Sequence, residues 1–371
     1  MLLLTPGPVQ TDPRVRAAMA VDIAPWDLDF RAEYAEIREK IVEVAGGTPG
    51  HHVTLPLQGS GHFVVEAAIR TFVPAGGAFL VPMNGQYAER IWRLASEAGR
   101  RPIAIPVPDT RPVTAQEIAA GFAAHPQASH LIAVVGETGS GIVNDPAVMG
   151  EAVRKAGRRM ILDMVSAFGA WPFRLAEHDE IDAVTFTSNK CLEGMPGLGF
   201  AVCPADRTRE RAGQAGSWSL DLGDVMLTAE RAGWGSFRFT PPVQALRAFG
   251  VALELYEAEG GQRVRLARYR ENMRVLMDGM TALGLRPYLA PEHQGPVIAT
   301  FHQPPGPEAG GRFVLQDFVD ALKQRGVLIS NFHTTEAPTL RIGCIGAITP
   351  DDMRHAVAVM GEVLEEMGVL A

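Results

Sequence analysis

Between residues 53 and 203 the chain alternates short apolar runs with longer amphipathic stretches, and this alternation narrows the possible folds more than any other feature. The runs cover 53–57, 78–81, 102–106, 130–135, 160–163, 183–187 and 199–203. Each is strand-length and nearly continuous in apolar residues, as strands buried on both faces are. The segments 61–72, 88–98, 115–124 and 147–156 between them carry helical periodicity. Buried strands separated by helix-length segments predict an α/β unit with a seven-stranded, mainly parallel sheet covered on both faces.

From about Pro242 the texture changes. One long helical stretch, 242–283, is expected to lead into a strand at 297–301, a helix near 314–324 and a strand near 327–330. A strand at 339–342 and a last helix from Pro350 follow. That order predicts a smaller C-terminal α+β domain after a connecting helix, with the Pro/Gly-rich 303–311 as a surface loop. We therefore expect an N-terminal segment (1–14), a large domain (15–250) and a small domain (251–371). A chain of 371 residues, 47% of them hydrophobic, can bury two such cores.

The formal charge is -8 and no Lys/Arg run offers a stripe for phosphates, so nucleic acid is not an expected partner. Cys191, Cys203 and Cys344 are the only cysteines, an odd number without metal-ligand spacing, which suits a reducing, cytoplasmic setting. His51-His52 lacks further ligands, so no metal is expected. The opening MLLLTPGP is too short and lacks the basic flank of a signal sequence. No apolar stretch reaches the ~20 residues of a membrane helix.

Four places carry chemistry. Gly59-Ser60-Gly61-His62 joins an apolar strand to a helix, where free backbone N–H groups and the helix dipole favour an anion; an ordinary strand-to-helix turn has the same pattern. Asp163 ends a central strand, the edge at which open α/β sheets bind ligands; it could neutralise a protonated ring nitrogen or cap the next helix. Lys190 follows the strand-like run 184–189 and precedes the loop 194–197, which would turn its amine toward the same cleft. A lysine there is either a solvated surface residue or, if buried near cations, a nucleophile. Arg341, in Leu340-Arg341-Ile342-Gly343, offers a fork for a carboxylate or phosphonate, or forms a surface ion pair.

Taken together these residues resemble the class V aminotransferases over nearly the whole chain, from Leu4-Thr5-Pro6-Gly7-Pro8 to the Arg341 segment. The resemblance implies the aspartate-aminotransferase type of fold (fold type I) and pyridoxal 5'-phosphate as cofactor. It implies that Gly59, Ser60, Gly61 and His62 cradle the phosphate, and that Tyr87, in Asn84-Gly85-Gln86-Tyr87, stacks on the ring. Thr138, in Glu137-Thr138-Gly139-Ser140-Gly141, falls near the ring hydroxyl, Asp163 faces the ring nitrogen, and Lys190 binds the cofactor covalently. Asp163 and Lys190 are the catalytic pair. Thr240, in Arg238-Phe239-Thr240-Pro241, reaches the neighbouring subunit's phosphate, which implies a homodimer with shared sites. Arg341, helped by Thr5 and Gly7, holds the substrate's anionic group.

Within the class the resemblance is greatest to the group that transfers the amine of 2-aminoethylphosphonate to pyruvate. Its marks are Trp26-Asp27-Leu28-Asp29, Leu57-Gln58-Gly59-Ser60-Gly61, Ser188-Asn189-Lys190-Cys191, Ser219-Leu220-Asp221-Leu222 and Phe237-Arg238-Phe239-Thr240. Two departures lie near the substrate. His62 makes a Gly-Ser-Gly-His turn closer to alanine–glyoxylate aminotransferases, and Ser330-Asn331-Phe332-His333 replaces that group's Tyr-Pro-Gly-Lys. The alternative is therefore an alanine or serine aminotransferase using glyoxylate or pyruvate. A cysteine desulfurase would need a mobile cysteine before the arginine strand, whereas Cys344 follows it in an apolar run expected to be core. Trp218 and Trp234 are expected to serve packing, and the fourteen methionines to fill the core.

Overall fold

A computed structural model describes residues 1–370. Its strands are β1 (Leu2–Leu3), β2 (His52–Gln58), β3 (Ala78–Pro82), β4 (Arg101–Ile105), β5 (Ala128–Val134), β6 (Arg159–Asp163), β7 (Ile181–Thr187), β8 (Leu198–Pro204), β9 (Ile298–His302), β10 (Val327–Leu328) and β11 (Thr339–Gly343). Strands β2 to β8 form one sheet in the order β2-β8-β7-β6-β5-β3-β4. Neighbours from β7 to β4 are parallel, and β8 is antiparallel to both β7 and β2. No helix separates β7 from β8, so β8 returns antiparallel, since a parallel return needs a long crossover. The two edge strands, β2 and β4, are the ones interrupted by an internal proline, Pro56 and Pro102, which lack a ladder donor.

Successive side chains divide between two cores, as the pleat requires. Leu80, Leu131 and Leu162 pack with the helices Leu28–Val44, Ala115–Ala124, Pro146–Lys155 and Val243–Glu259. Phe79, Ile132 and Ile161 pack on the other face with Gly61–Phe72, Gln86–Glu97 and Leu222–Ala232. A third core, including Leu4, Leu276, Phe301, Phe318, Leu340 and Met360, gathers β9, β11 and the helices Gly261–Ala282, Leu315–Gln324 and Pro350–Glu366. No helix of the described residues is long and apolar enough to cross a membrane.

Three expectations need correction. The stretch 242–283 is two helices, Val243–Glu259 and Gly261–Ala282, broken where Gly260 and Gly261 adopt φ of 109° and 68°. Only glycine visits such angles at little cost. The first helix packs on the large sheet and the second on the small core. The strand near 327–330 stops at Leu328, because its partner is the two-residue β1. Trp218 is 69% exposed and does not serve core packing; its Nε1 donates to Asp224.

Candidate active site

Parallel strands β5, β6 and β7 end at one edge of the sheet, and that edge gathers the chemistry. Asp163 is the last residue of β6. Its Oδ1 accepts the Val165 N–H (2.9 Å), so the carboxylate closes a local turn, and no helix begins there for it to cap. Burial raises its pKa from 3.8 to about 6, against the opposing pull of the Val165 N–H and Lys190. Its other oxygen makes no hydrogen bond within the described residues.

Lys190 sits in the turn after β7 and is buried rather than solvated. The turn is clamped by the helix Gly261–Ala282: Arg265 Nη1 (2.7 Å) and the Tyr269 hydroxyl (3.1 Å) both donate to the Cys191 carbonyl. The Lys190 amine donates to the Pro6 carbonyl at 2.6 Å, which brings the N-terminal segment into the site. Burial, reinforced by Arg341 and Arg90, lowers the amine's pKa to about 8. Gly7 has φ +143°, and a Cβ there would lie 2.5 Å from Lys190 Cε, so only glycine fits. The Thr5 hydroxyl is turned away to donate to Pro8 O.

Gly59, with φ +134°, turns the chain from β2 into the helix Gly61–Phe72. Ser60 is the N-cap but makes no side-chain cap; the Phe63 N–H donates to the Ser60 carbonyl (3.1 Å), and the Gly61 and His62 N–H groups stay available to a ligand. A Cβ on Gly61 would lie 2.8 Å from Val165, so backbone and neighbouring strand end meet closely here. His62 Nε2 lies 3.1 Å from Arg90 Nη1 and its Nδ1 lies 3.4 Å from Ser60 Oγ. A guanidinium only donates, so Nε2 accepts and the imidazole is neutral, its proton directed toward Ser60. Burial and Arg90 both push this histidine's pKa down, in the same sense. Tyr87 lies under the Arg90 guanidinium, 4.5 Å from ring centroid to carbon.

Gly7, Ser60, His62, Tyr87, Asp163 and Lys190 line one cavity of about 160 Å³. Thr138 stands beside it, its hydroxyl 2.6 Å from that of Ser166 and its carbonyl accepting from Arg341 Nη1 (3.0 Å). Arg341 is buried on β11 and meets no carboxylate among the described residues. Thr240 lies outside the cavity, exposed beside Phe239 in a separate depression near Pro56. Two contributors escaped the sequence reading. Arg90 is one helical turn from Tyr87, a spacing that places both on one face. Glu137 is wholly buried and accepts the N–H groups of Gly139 (2.8 Å) and Tyr87 (3.2 Å); burial raises its pKa to about 7. Its place just beyond the C-terminal end of β5 was the available signal.

These groups fit one kind of cofactor. An uncapped helix start suits a phosphate, a desolvated carboxylate with a spare oxygen suits a cationic ring nitrogen, and a buried amine of lowered pKa suits imine chemistry. Residues 25–345 match the family described as Aminotransferase class-V. The chain belongs to the class V aminotransferases. The enzyme is 39% identical over 368 residues to 2-aminoethylphosphonate–pyruvate transaminase 1 of Cupriavidus pinatubonensis, covering 99% of this chain and 95% of that one. It is 41% identical over 368 residues to 2-aminoethylphosphonate–pyruvate transaminase of Burkholderia ambifaria, covering 99% and 96%. Its fold is similar to that of ureidoglycine–glyoxylate aminotransferase from Bacillus subtilis, with a TM-score of 0.87 at 23% identity, covering 99% and 93%. This class V aminotransferase therefore has the fold type I architecture and uses pyridoxal phosphate.

Proposed function

We propose that this aminotransferase transfers the amine of 2-aminoethylphosphonate to pyruvate, giving phosphonoacetaldehyde and alanine. The full-length likeness to the two transaminases of that name carries the reading. Pyridoxal phosphate, when bound, supplies a carbonyl that captures the donor amine and a ring that draws electrons from the substrate carbon. Lys190 would hold it covalently at rest. The freed Lys190 amine would take the proton from the substrate carbon as base and deliver it as acid to the carbon of the cofactor's carbonyl group. A pKa near 8 leaves a useful fraction of that amine neutral around pH 7–8.

Asp163 would keep a proton on the ring nitrogen, its own ionisation favoured by that cation. Gly59, Ser60, Gly61 and His62 would hold the phosphate, Tyr87 would cover the ring, and Thr138 would meet the ring hydroxyl. Arg341 would bind pyruvate's carboxylate in one half-reaction and the donor's phosphonate in the other, with Gly7 admitting the Lys190 chain beside them. Thr5 would contribute only its backbone, because its hydroxyl is already committed.

The second reading, alanine or serine with glyoxylate or pyruvate, is favoured by His62, whose neutral ring is fixed between Arg90 and Ser60. The test is to incubate the cofactor-loaded protein with 2-aminoethylphosphonate and pyruvate, following phosphorus NMR and alanine production. We expect stoichiometric phosphonoacetaldehyde and alanine, with serine inactive as donor. If only alanine or serine donates, the second reading replaces the first.

A homodimer with shared sites is proposed from Thr240, which is exposed, remote from its own cavity and flanked by the exposed Phe239 and Trp218. Sedimentation should give twice the chain mass; a monomer that still turns over refutes the sharing. A cytoplasmic location is proposed from the three unpaired, buried cysteines, and cell fractionation checks it.

A further inference from the structure

The guanidinium of Arg341 lies over the ring of Phe332, with 4.9 Å between its carbon and the ring centroid. Its Nη1 is committed, donating to the Thr138 carbonyl (3.0 Å) and the Thr334 hydroxyl (3.2 Å). Nε and Nη2 have no hydrogen-bond partner among the described residues, and Nε is buried. A buried donor without a partner is costly, and it marks the Nε–Nη2 edge as the place for an incoming anion.

The ring's position is built by the loop around it. Asp109 accepts the Tyr288 hydroxyl at 2.6 Å and the Glu336 N–H at 3.1 Å, pinning residues 331–338 to the large sheet's loops. The Thr335 hydroxyl donates to Ala337 O at 2.9 Å and lies 2.6 Å from that of Thr339. Thr334 sits so close to Gly139 that a Cβ there would be 2.8 Å from its hydroxyl oxygen. Phe332 is nevertheless 53% exposed, so the stack on Arg341, rather than core burial, accounts for an aromatic residue at this point.

We propose that Phe332 sets the anion preference of Arg341, an inference that rests on the reading of Arg341 as the substrate-anion residue. With one face closed by the ring and Nη1 occupied, an anion must enter in the guanidinium plane along Nε–Nη2. A flat carboxylate meets that edge with both oxygens in plane. A phosphonate has three oxygens in a tetrahedron, and one of them stands out of the plane. On the Phe332 side that oxygen faces the negative face of an aromatic ring and loses water without gaining a donor. Phe332 therefore favours carboxylate over phosphonate at a cation that must serve both, and it is the residue through which the chain's departure at 330–333 acts on substrate.

The test uses acetate and methylphosphonate as probes, with dissociation constants for the cofactor-loaded protein measured by ligand-observed NMR. Phe332→Gly is expected to shift the ratio of the two constants toward methylphosphonate by roughly three- to fivefold, the size of a lost exposed cation–π contact. Phe332→Tyr is expected to keep the wild-type ratio. Phe332→Leu, which retains bulk without the ring's charge distribution, carries the test should the glycine variant not fold. A ratio shifted by less than twofold, a shift toward acetate, or equal weakening of both anions overturns the proposal. Arg341→Gln separates the two failures. If it leaves both affinities unchanged, the assignment of Arg341 falls and Phe332 with it. If it abolishes both while Phe332→Gly leaves the ratio alone, only the role of Phe332 falls.

Discussion

Replacing Lys190 with alanine is expected to lower transamination by roughly ten-thousand-fold and to remove the visible absorption of covalently held cofactor. The size follows from the two roles proposed for one atom, an amine that would both anchor the cofactor and move the proton. Folding should survive. The turn holding Lys190 is fixed through the Cys191 carbonyl and the Glu193 carboxylate, which accepts the Tyr269 hydroxyl at 2.7 Å, and neither depends on the lysine side chain. Burial has moved the amine's pKa from 10.5 to about 8, so below that pH the cofactor-free protein confines a cation at a cost that alanine removes. The variant should therefore melt no lower than wild type at pH 7. Small primary amines added to it should restore part of the rate, because they replace the proton carrier but not the tether. A variant that keeps the absorption band, or that loses activity only tenfold, removes Lys190 from the centre of the mechanism.

The same residue shows how far a sequence can be read and where it stops. The order Gly59-Ser60-Gly61, Asp163, Lys190 was legible because each stands at or just beyond the end of an apolar run, and strands running the same way bring their C-terminal ends together; Arg341, in the middle of β11 of the separate antiparallel pair, reaches the site through tertiary packing instead. The helices Gly61–Phe72 and Ala115–Ala124 were legible to the residue from helical periodicity, and in the second Thr114 and Glu117 form a reciprocal cap. What stayed hidden was non-local. The pairing of Leu2–Leu3 with Val327–Leu328 joins segments far apart in the sequence, and no local pattern announces it. The contact of Pro6 with Lys190 is likewise non-local. Arg90 and Glu137 were given no role by the sequence, and belong to the site through burial and through His62 and Tyr87. The break at Gly260–Gly261 was written as two adjacent glycines, but helical periodicity on both sides concealed it.

Asp163→Asn is expected to do two opposite things, and their combination is what identifies a carboxylate placed for chemistry. Turnover should fall roughly hundred- to thousand-fold, because an amide cannot hold the ring nitrogen in its protonated state and an electrostatic partner of the reaction is lost. The cofactor-free variant should nonetheless be more stable than wild type at neutral pH. In the folded protein burial has raised the Asp163 pKa from 3.8 to about 6, so the folded state binds this proton more tightly than the unfolded chain does. Below about pH 4 the group is protonated in both states and imposes no penalty. Between pH 4 and 6 the penalty grows, and above 6 the folded protein carries all of it, about 3 kcal/mol. The thermal midpoint of Asp163→Asn should thus match wild type at pH 4 and exceed it at pH 8. Adding pyridoxal phosphate should reverse the order, since the ring cation compensates a carboxylate and not an amide. Midpoints that differ equally at pH 4 and 8, or a variant with wild-type turnover, would show that Asp163 only closes its local turn with Val165. The opposite-signed result would mean that this carboxylate is kept at a cost to folding for what it does to a bound cation.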